Sequence, residues 1–197
     1  MSRTATISRH TTETQIELEL QLDGNGRYDI SLPEISGLPF LKHMLEQWAK
    51  HGKFDLTIRA NGDVEIDGHH LVEDLGIALG LALEKAVGDK RGIARYGSFI
   101  LPMDEVLVLC AVDFCGRAFL KNDLEFRQER LGEFDVFLFQ EFLVGLSNNA
   151  KINLHLKELN GGNAHHLIEA SFKAMARAMR AALALEGDEL PTTKGVL

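Results

Sequence analysis

The segment His-His-x-x-Glu occurs twice in this chain, as His69-His70-Leu71-Val72-Glu73 and as His165-His166-Leu167-Ile168-Glu169. The same order of elements leads to each copy. In the first half, Phe40 to His51 has helical spacing, Phe54 to Ile58 alternates as a strand does, and Asn61-Gly62 turns the chain. His69 to Val87 is then helical, with Leu75, Leu79, Ala82, Leu83 and Ala86 on one face. In the second half, Phe134 to Leu146 is helical, and Ile152, Leu154 and Leu156 alternate with Asn153, His155 and Lys157. Gly161-Gly162 turns the chain, and His165 opens a helix that runs to about Leu185. Such recurrence predicts an internal duplication. The expectation is one domain over 1–197, built of a first repeat 1–90 and a second repeat 91–197.

The remaining elements point to strands mixed with a few helices. Ile16 to Leu22 alternates strictly, Asp23-Gly24-Asn25-Gly26 is a turn signal, and Tyr28 to Leu32 can return as a hairpin partner. Val64-Glu65-Ile66 reads as a short strand. Val106 to Phe114 is continuously apolar, the pattern of a strand buried on both faces. The fold class expected is α+β: duplicated half-domains, each a mixed or antiparallel sheet with helices packed on one face.

The chain has 197 residues, 45% hydrophobic and 25% charged, an ordinary globular balance. The formal net charge of −8 argues against nucleic acid or an anionic membrane as partner, since both need a basic surface. No apolar run reaches the ~20 residues of a membrane helix, and Met1-Ser2-Arg3-Thr4 opens no signal segment, so the cytoplasm is the expected location. Cys110 and Cys115 sit in an apolar run without a Cys-x-x-Cys spacing and read as core thiols.

Imidazole and carboxylate together suit divalent ions such as manganese, iron or zinc. A lone histidine pair is commonly a cap or a surface feature, but two matched copies, each with a glutamate at helical spacing, point to metal. At about 100° per residue, His69 and Glu73 lie about 40° apart, whereas His70 lies about 100° from His69. Three ligands so spread do not close readily on one ion. The expectation is two metal ions, each using residues from both copies, meeting within one chain or across a subunit boundary. Of the eight histidines, His43 in an apolar helix and His155 on the polar face of its strand are natural further ligands; His10 and His51 have no such placement. Lys173 continues the stripe of His165 and Glu169 and so points to the metal side. Arg95 and Arg117 lie in glycine-containing turns, and Thr192, Thr193 and Lys194 in the tail; guanidinium, hydroxyl and ammonium groups together can cradle phosphate. Glu13, from spacing alone, is an exposed carboxylate before the strand at Ile16.

These residues resemble the imidazoleglycerol-phosphate dehydratases of histidine biosynthesis. The likeness lies in Arg9-His10-Thr11-Thr12-Glu13-Thr14-Gln15-Ile16, His43-Met44-Leu45-Glu46-Gln47, Asp67 to Asp74, Gly88-Asp89-Lys90-Arg91-Gly92-Ile93, Pro102-Met103-Asp104-Glu105, Leu154-His155-Leu156, Asn163 to Ala174 and Pro191 to Leu197, and so spans essentially the whole chain. The resemblance implies a manganese-dependent hydro-lyase that removes water from imidazole glycerol phosphate to give imidazole acetol phosphate. It implies a large octahedral homo-oligomer, of about 24 subunits. Its metal-ligand pattern falls on His43, His69, His70, Glu73, His155, His165, His166 and Glu169, and its substrate-contacting pattern on Glu13, Gln47, Arg95, Arg117, Lys173, Thr192, Thr193 and Lys194. Glu13, and secondly Glu73, are the proton carriers it implies. Two positions depart from the family pattern: Lys42 stands where aspartate is usual, and Leu71 where threonine is usual. A cation beside His43 weakens metal binding unless its side chain points away. Two other readings need fewer residues: a metal-assembled oligomer or divergent relative with weak or no turnover, and a metallohydrolase acting on another phosphate compound.

Overall fold

In the computed structural model, residues 3–197 are described; Met1 and Ser2, used above in the search for a signal segment, lie outside the described residues. The first half runs β1 (Thr4–His10), β2 (Thr14–Gln21), β3 (Tyr28–Ser31), α1 (Leu38–Gly52), β4 (Asp55–Gly62) and α2 (His69–Val87). The second runs β5 (Tyr96–Met103), β6 (Val106–Asp113), β7 (Phe119–Asp123), the two-residue strands β8 (Arg130–Leu131) and β9 (Phe134–Asp135), α3 (Phe137–Ala150), β10 (Asn153–Asn160) and α4 (Ala164–Ala182). The two main sheets have matching orders, β1-β2-β4-β3 and β5-β6-β10-β7. In each, an antiparallel hairpin comes first, and a strand–helix–strand crossover adds the parallel pair at the far edge, β3 with β4 and β7 with β10.

Each sheet has helices on one face only. α2 packs on β1 and β2, α4 on β5 and β6, while α1 meets α4 and α3 meets α2. The helices therefore lie between the two sheets. The approach of α2 to α3 depends on glycine: a β-carbon at Gly76 would collide with the Phe142 carbonyl, and one at Gly145 would sit 2.8 Å from the Glu73 carbonyl oxygen. No helix among the described residues is long and apolar enough to cross a membrane.

Five expectations are corrected. Tyr28–Ser31 does not return on β2 as a hairpin; it pairs parallel with β4. Both edges of β2 are already taken, by β1 and β4, and Asp55 Oδ1 accepts the N–H groups of Asn25 (2.7 Å) and Arg27 (2.9 Å), drawing the loop across to the start of β4. Val64-Glu65-Ile66 is a turn closed by Ile66 N–H on the Asp63 carbonyl at 3.1 Å. Val106 to Asp113 is buried on one face alone, Val106, Val108, Cys110 and Val112, because nothing among the described residues buries the other. Phe134 belongs to β9, and the helix waits until Phe137, whose N–H is taken by Asp135 Oδ1 at 2.9 Å. Three strands, β1, β5 and β7, had no sequence signal strong enough to read; β1 and β7 lie at sheet edges and half their residues face solvent. Glu13 consequently sits in the β1–β2 hairpin turn, not before the first strand.

Candidate functional site

α2 begins at its histidine pair and α4 one residue before its own, and in both an Asx side chain two residues before the first histidine accepts that histidine's backbone N–H: Asp67 Oδ1 from His69 and Asn163 Oδ1 from His165, each at 2.8 Å. This caps one orphan donor and aims the pair outward from the helix start. Within each motif the first histidine turns to its own glutamate: His69 Nε2 is 3.8 Å from Glu73 Oε2, and His165 Nε2 is 3.1 Å from Glu169 Oε2. The second histidine turns away to a different carboxylate. His70 Nδ1 lies 2.9 Å from Asp63 Oδ2, and His166 Nδ1 lies 3.0 Å from Glu105 Oε2. The spread of ligands expected from helical angles is thus present in the side chains.

Asp63 and Glu105 were not singled out from sequence. Each carboxylate holds the Nδ1 edge of a ring, which leaves Nε2 as the free ligand atom, the arrangement common behind metal-bound histidines. The Asp63 hydrogen bond, working against slight burial, raises the His70 pKa. The Glu105 carboxyl is held down to about 2, first by the Asn163 N–H and then by His166. Glu105, His166 and Asp104 also place one donor atom each within 4.8 Å of one another. Asp63 lies six residues upstream of its motif and Glu105 lies in another hairpin, so only the fold brings them to the histidines.

The remaining predicted ligands fall into two places. His43 on α1 reaches toward α4, with Nε2 3.9 Å from Glu169 Oε2. Lys173 Nζ is 2.6 Å from Glu169 Oε1, so the stripe His165–Glu169–Lys173 is real and closed by an ion pair. Burial works against the Glu169 carboxylate, but Lys173, His43 and His165 outweigh it and hold the pKa below its ordinary value. Gln47 lies one turn beyond His43 on α1. The pKa of His51, passed over in the sequence, is pushed down by burial and by the charges of Lys173 and Arg177. The Asp29 carboxyl on β3 is held below its ordinary pKa first by its hydrogen bond with Arg59 and more weakly by the charge of Lys42. Leu71 is buried in the core. His155 is apart from all of these, on the outer face of the second sheet, with its ring 5.4 Å from that of Phe119.

The predicted phosphate groups split. Arg95, Arg117, Thr192, Thr193 and Lys194 line one cavity of about 410 Å³. Arg95 is held there by Asp113 (2.7 and 3.2 Å), by the Pro191 carbonyl (2.9 Å) and by stacking 4.6 Å from the Tyr96 ring. Tyr96 and Asp113 continue into a second cavity, of about 370 Å³, that contains His155. Lys173 does not line the cavity of Arg95; it is with Glu169. Glu13 is nearest to His70, with Oε1 4.0 Å from Nε2. The chain therefore presents partial clusters: His69, His70, Glu73 and Glu13; His43, His165, Glu169 and Lys173; His166 with Asp104 and Glu105; and His155 beside the cationic cavity. The imidazole and carboxylate donors, with carboxylates behind two of the rings, fit a divalent metal such as manganese.

Residues 36–179 match the model of the imidazoleglycerol-phosphate dehydratase family. The imidazoleglycerol-phosphate dehydratase of Moorella thermoacetica is 52% identical over 100% of both chains. That of Bordetella pertussis is 50% identical over 99% of this chain and 100% of its own. Two solved imidazoleglycerol-phosphate dehydratases share the fold at 35% identity and a TM-score of 0.82: that of Staphylococcus aureus, covering 92% of this chain and 99% of its own, and that of Pyrococcus furiosus, covering 97% and 100%.

Proposed function

The chain belongs to the imidazoleglycerol-phosphate dehydratase family, a family of hydro-lyases, and from that premise we propose that it is a metal-dependent enzyme converting imidazole glycerol phosphate to imidazole acetol phosphate and water in histidine biosynthesis. The observation that carries the metal reading is the repeated geometry, in which one histidine of each pair meets its glutamate and the other is backed by a carboxylate. His43, His69, His70, Glu73, His155, His165, His166 and Glu169 would hold two divalent ions, manganese by family resemblance. Bound there, the metal supplies a template for the imidazole ring and stabilises negative charge on it.

The chain's own groups account for the rest. Arg95, Arg117, Thr192, Thr193 and Lys194 grip the phosphate end in their shared cavity. Asp113 fixes the Arg95 guanidinium while leaving one face of the cavity cationic. The reaction removes a hydrogen from one carbon and a hydroxyl from its neighbour. One proton must be taken and one delivered to the departing hydroxyl, and the enol left behind becomes the ketone. Among the described residues no hydrogen bond engages the Glu13 carboxylate, so it is free to move a proton. Glu73 is the second proton carrier by the same resemblance. Lys173 on α4 and Gln47 on α1 are the further substrate contacts by the same resemblance.

His155 lies on a different surface from the histidine pairs, so a complete set of ligands requires neighbouring copies. The surfaces differ in kind. The outer face of the first sheet is polar, with Glu17, Glu19 and Arg59, whereas that of the second exposes Tyr96 (60%), Ile100 (53%) and Phe119 (52%) around His155. An apolar sheet face of this sort suits burial against another subunit. These observations support assembly into a large homo-oligomer, by family resemblance octahedral with about 24 subunits, with the cytoplasm as the proposed location. One experiment tests both halves of this reading. The purified protein is assayed for the ketone by ultraviolet absorbance, and sized by light scattering, before chelation, after it, and after manganese is restored. Activity and size should fall together and return together. Turnover that survives complete removal of metal sinks the metal dependence; no turnover in manganese-loaded, assembled protein sinks the dehydratase reading.

A further inference from the structure

Asp74 follows the first motif directly and is a buried carboxylate, 7% exposed, between a helix and a sheet. Its partners lie on the β1–β2 hairpin: Arg9 Nη2 at 2.7 Å and the Thr14 hydroxyl, which donates to Oδ2. Arg9 is the penultimate residue of β1 and Thr14 opens β2, so the two bonds grip the hairpin on both sides of the turn that bears Glu13. The turn is fixed further by Thr11, whose Oγ1 accepts the N–H of Glu13 (3.1 Å) and of Thr14 (2.9 Å), and by Asp63, whose N–H donates to the Glu13 carbonyl at 3.1 Å. Asp63 holds His70 with its side chain as well. The Glu13 turn and the start of α2 are therefore one rigid piece.

The duplicate shows that the fold itself does not need this carboxylate. Ala170 follows the second motif where Asp74 follows the first, and Val106 opens β6 where Thr14 opens β2; both are buried and apolar. Glu105 precedes β6 as Glu13 precedes β2, and its carboxylate is bound by Asn163 N–H and His166 Nδ1. In the first half Asp63 takes the histidine's Nδ1 instead, and Glu13 is left unbound. A free carboxylate on a turn needs some other means of keeping its place. Burying a charge is costly unless it is paired and hydrogen-bonded, and apolar packing at the same place in the second half avoids that cost.

We infer that Asp74, acting through Thr14 and Arg9, is a positioning residue that holds the Glu13 carboxylate at the histidine pair for proton transfer. The inference rests on the reading of Glu13 as a proton carrier. A misplacement near 1 Å costs about 100-fold in rate. The test uses the assembled, manganese-loaded enzyme and compares Asp74→Asn, Thr14→Val, Thr14→Ser, Glu13→Gln and the double variant Glu13→Gln/Asp74→Asn. Asp74→Asn and Thr14→Val should lower kcat about 10- to 100-fold while KM, metal content and particle size stay near the parent's. Thr14→Ser, which keeps the hydroxyl, should restore most of the rate. The double variant should be no slower than Glu13→Gln alone, because the two changes remove the same contribution. Parental kcat in Asp74→Asn and Thr14→Val, when Glu13→Gln is impaired, overturns the inference and leaves the Glu13 reading intact. So does a full multiplicative loss in the double variant, or a loss of metal content in Asp74→Asn matching its loss of rate. Parental kcat in Glu13→Gln overturns the Glu13 reading itself, and the inference with it. Should Asp74→Asn fail to assemble, Thr14→Val and Thr14→Ser decide the matter by the same kcat criterion.

Discussion

Two carboxylates outside the repeated motif decide how its histidines are presented. Asp63 and Glu105 each take a ring by Nδ1, so His70 and His166 offer Nε2 outward. Removing such a partner typically lowers metal affinity about 10- to 100-fold. Asp63→Ala should therefore bind manganese that much more weakly in a metal titration, with far-ultraviolet circular dichroism unchanged; an unaltered affinity would show that the His70 ring is held by its surroundings alone. The motif residues themselves, and Lys173 on their stripe, were legible because a helix turns spacing into direction. Asp63 and Glu105 were not, since a carboxylate in a turn has no distinguishing pattern until the turn is placed against a helix.

At the scale of elements, the α2–α3 contact and the β2–β3 loop carry the clearest tests. Gly76 leaves no room for a β-carbon against the Phe142 carbonyl. Gly76→Ala should destabilise by about 1–3 kcal/mol through overpacking, read as a lower urea midpoint; a gain in stability from the better helix former would refute the close approach. The loop depends on Asp55. Its exposed part is screened and burial works against its charge, but the N–H groups of Arg27 and Asn25 hold its pKa below the ordinary 3.8. A depressed folded-state pKa contributes stability above the unfolded value, lost as pH falls through the folded one. Between about pH 5 and pH 2 the wild type should lose more stability than Asp55→Asn does; equal acid profiles would remove Asp55 from the account. All four helices were readable, α2 to the residue from His69 to Val87, because an apolar face repeating over five turns has no strand-like alternative; α3 was read with its ends displaced by three and four residues. Strand pairing was not. The Asn25-Gly26 signal is local, and which edge β3 meets was settled by Asp55 and by β1 occupying the other side of β2.

For the whole molecule, the unequal outer faces of the two sheets matter most. A charge placed on the apolar one, as in Phe119→Lys, should yield smaller particles by light scattering with the subunit fold intact by circular dichroism, and should lower activity in step; full-sized particles would move the subunit contact elsewhere. The continuous apolar run of β6 was read as a strand buried on both faces, yet the described residues bury only one. What the amino-acid sequence determined alone was the duplication, the helices, and the candidate groups for the chemistry, because these depend on spacing along a regular backbone and on side-chain type. The tertiary structure decided the pairing of the edge strands, the carboxylates behind His70 and His166, the clamp of Asp74 on the Glu13 turn, and the separation of His155 from the histidine pairs. Each of these is a contact between residues distant in the chain, and such contacts exist only once the two sheets and four helices have packed.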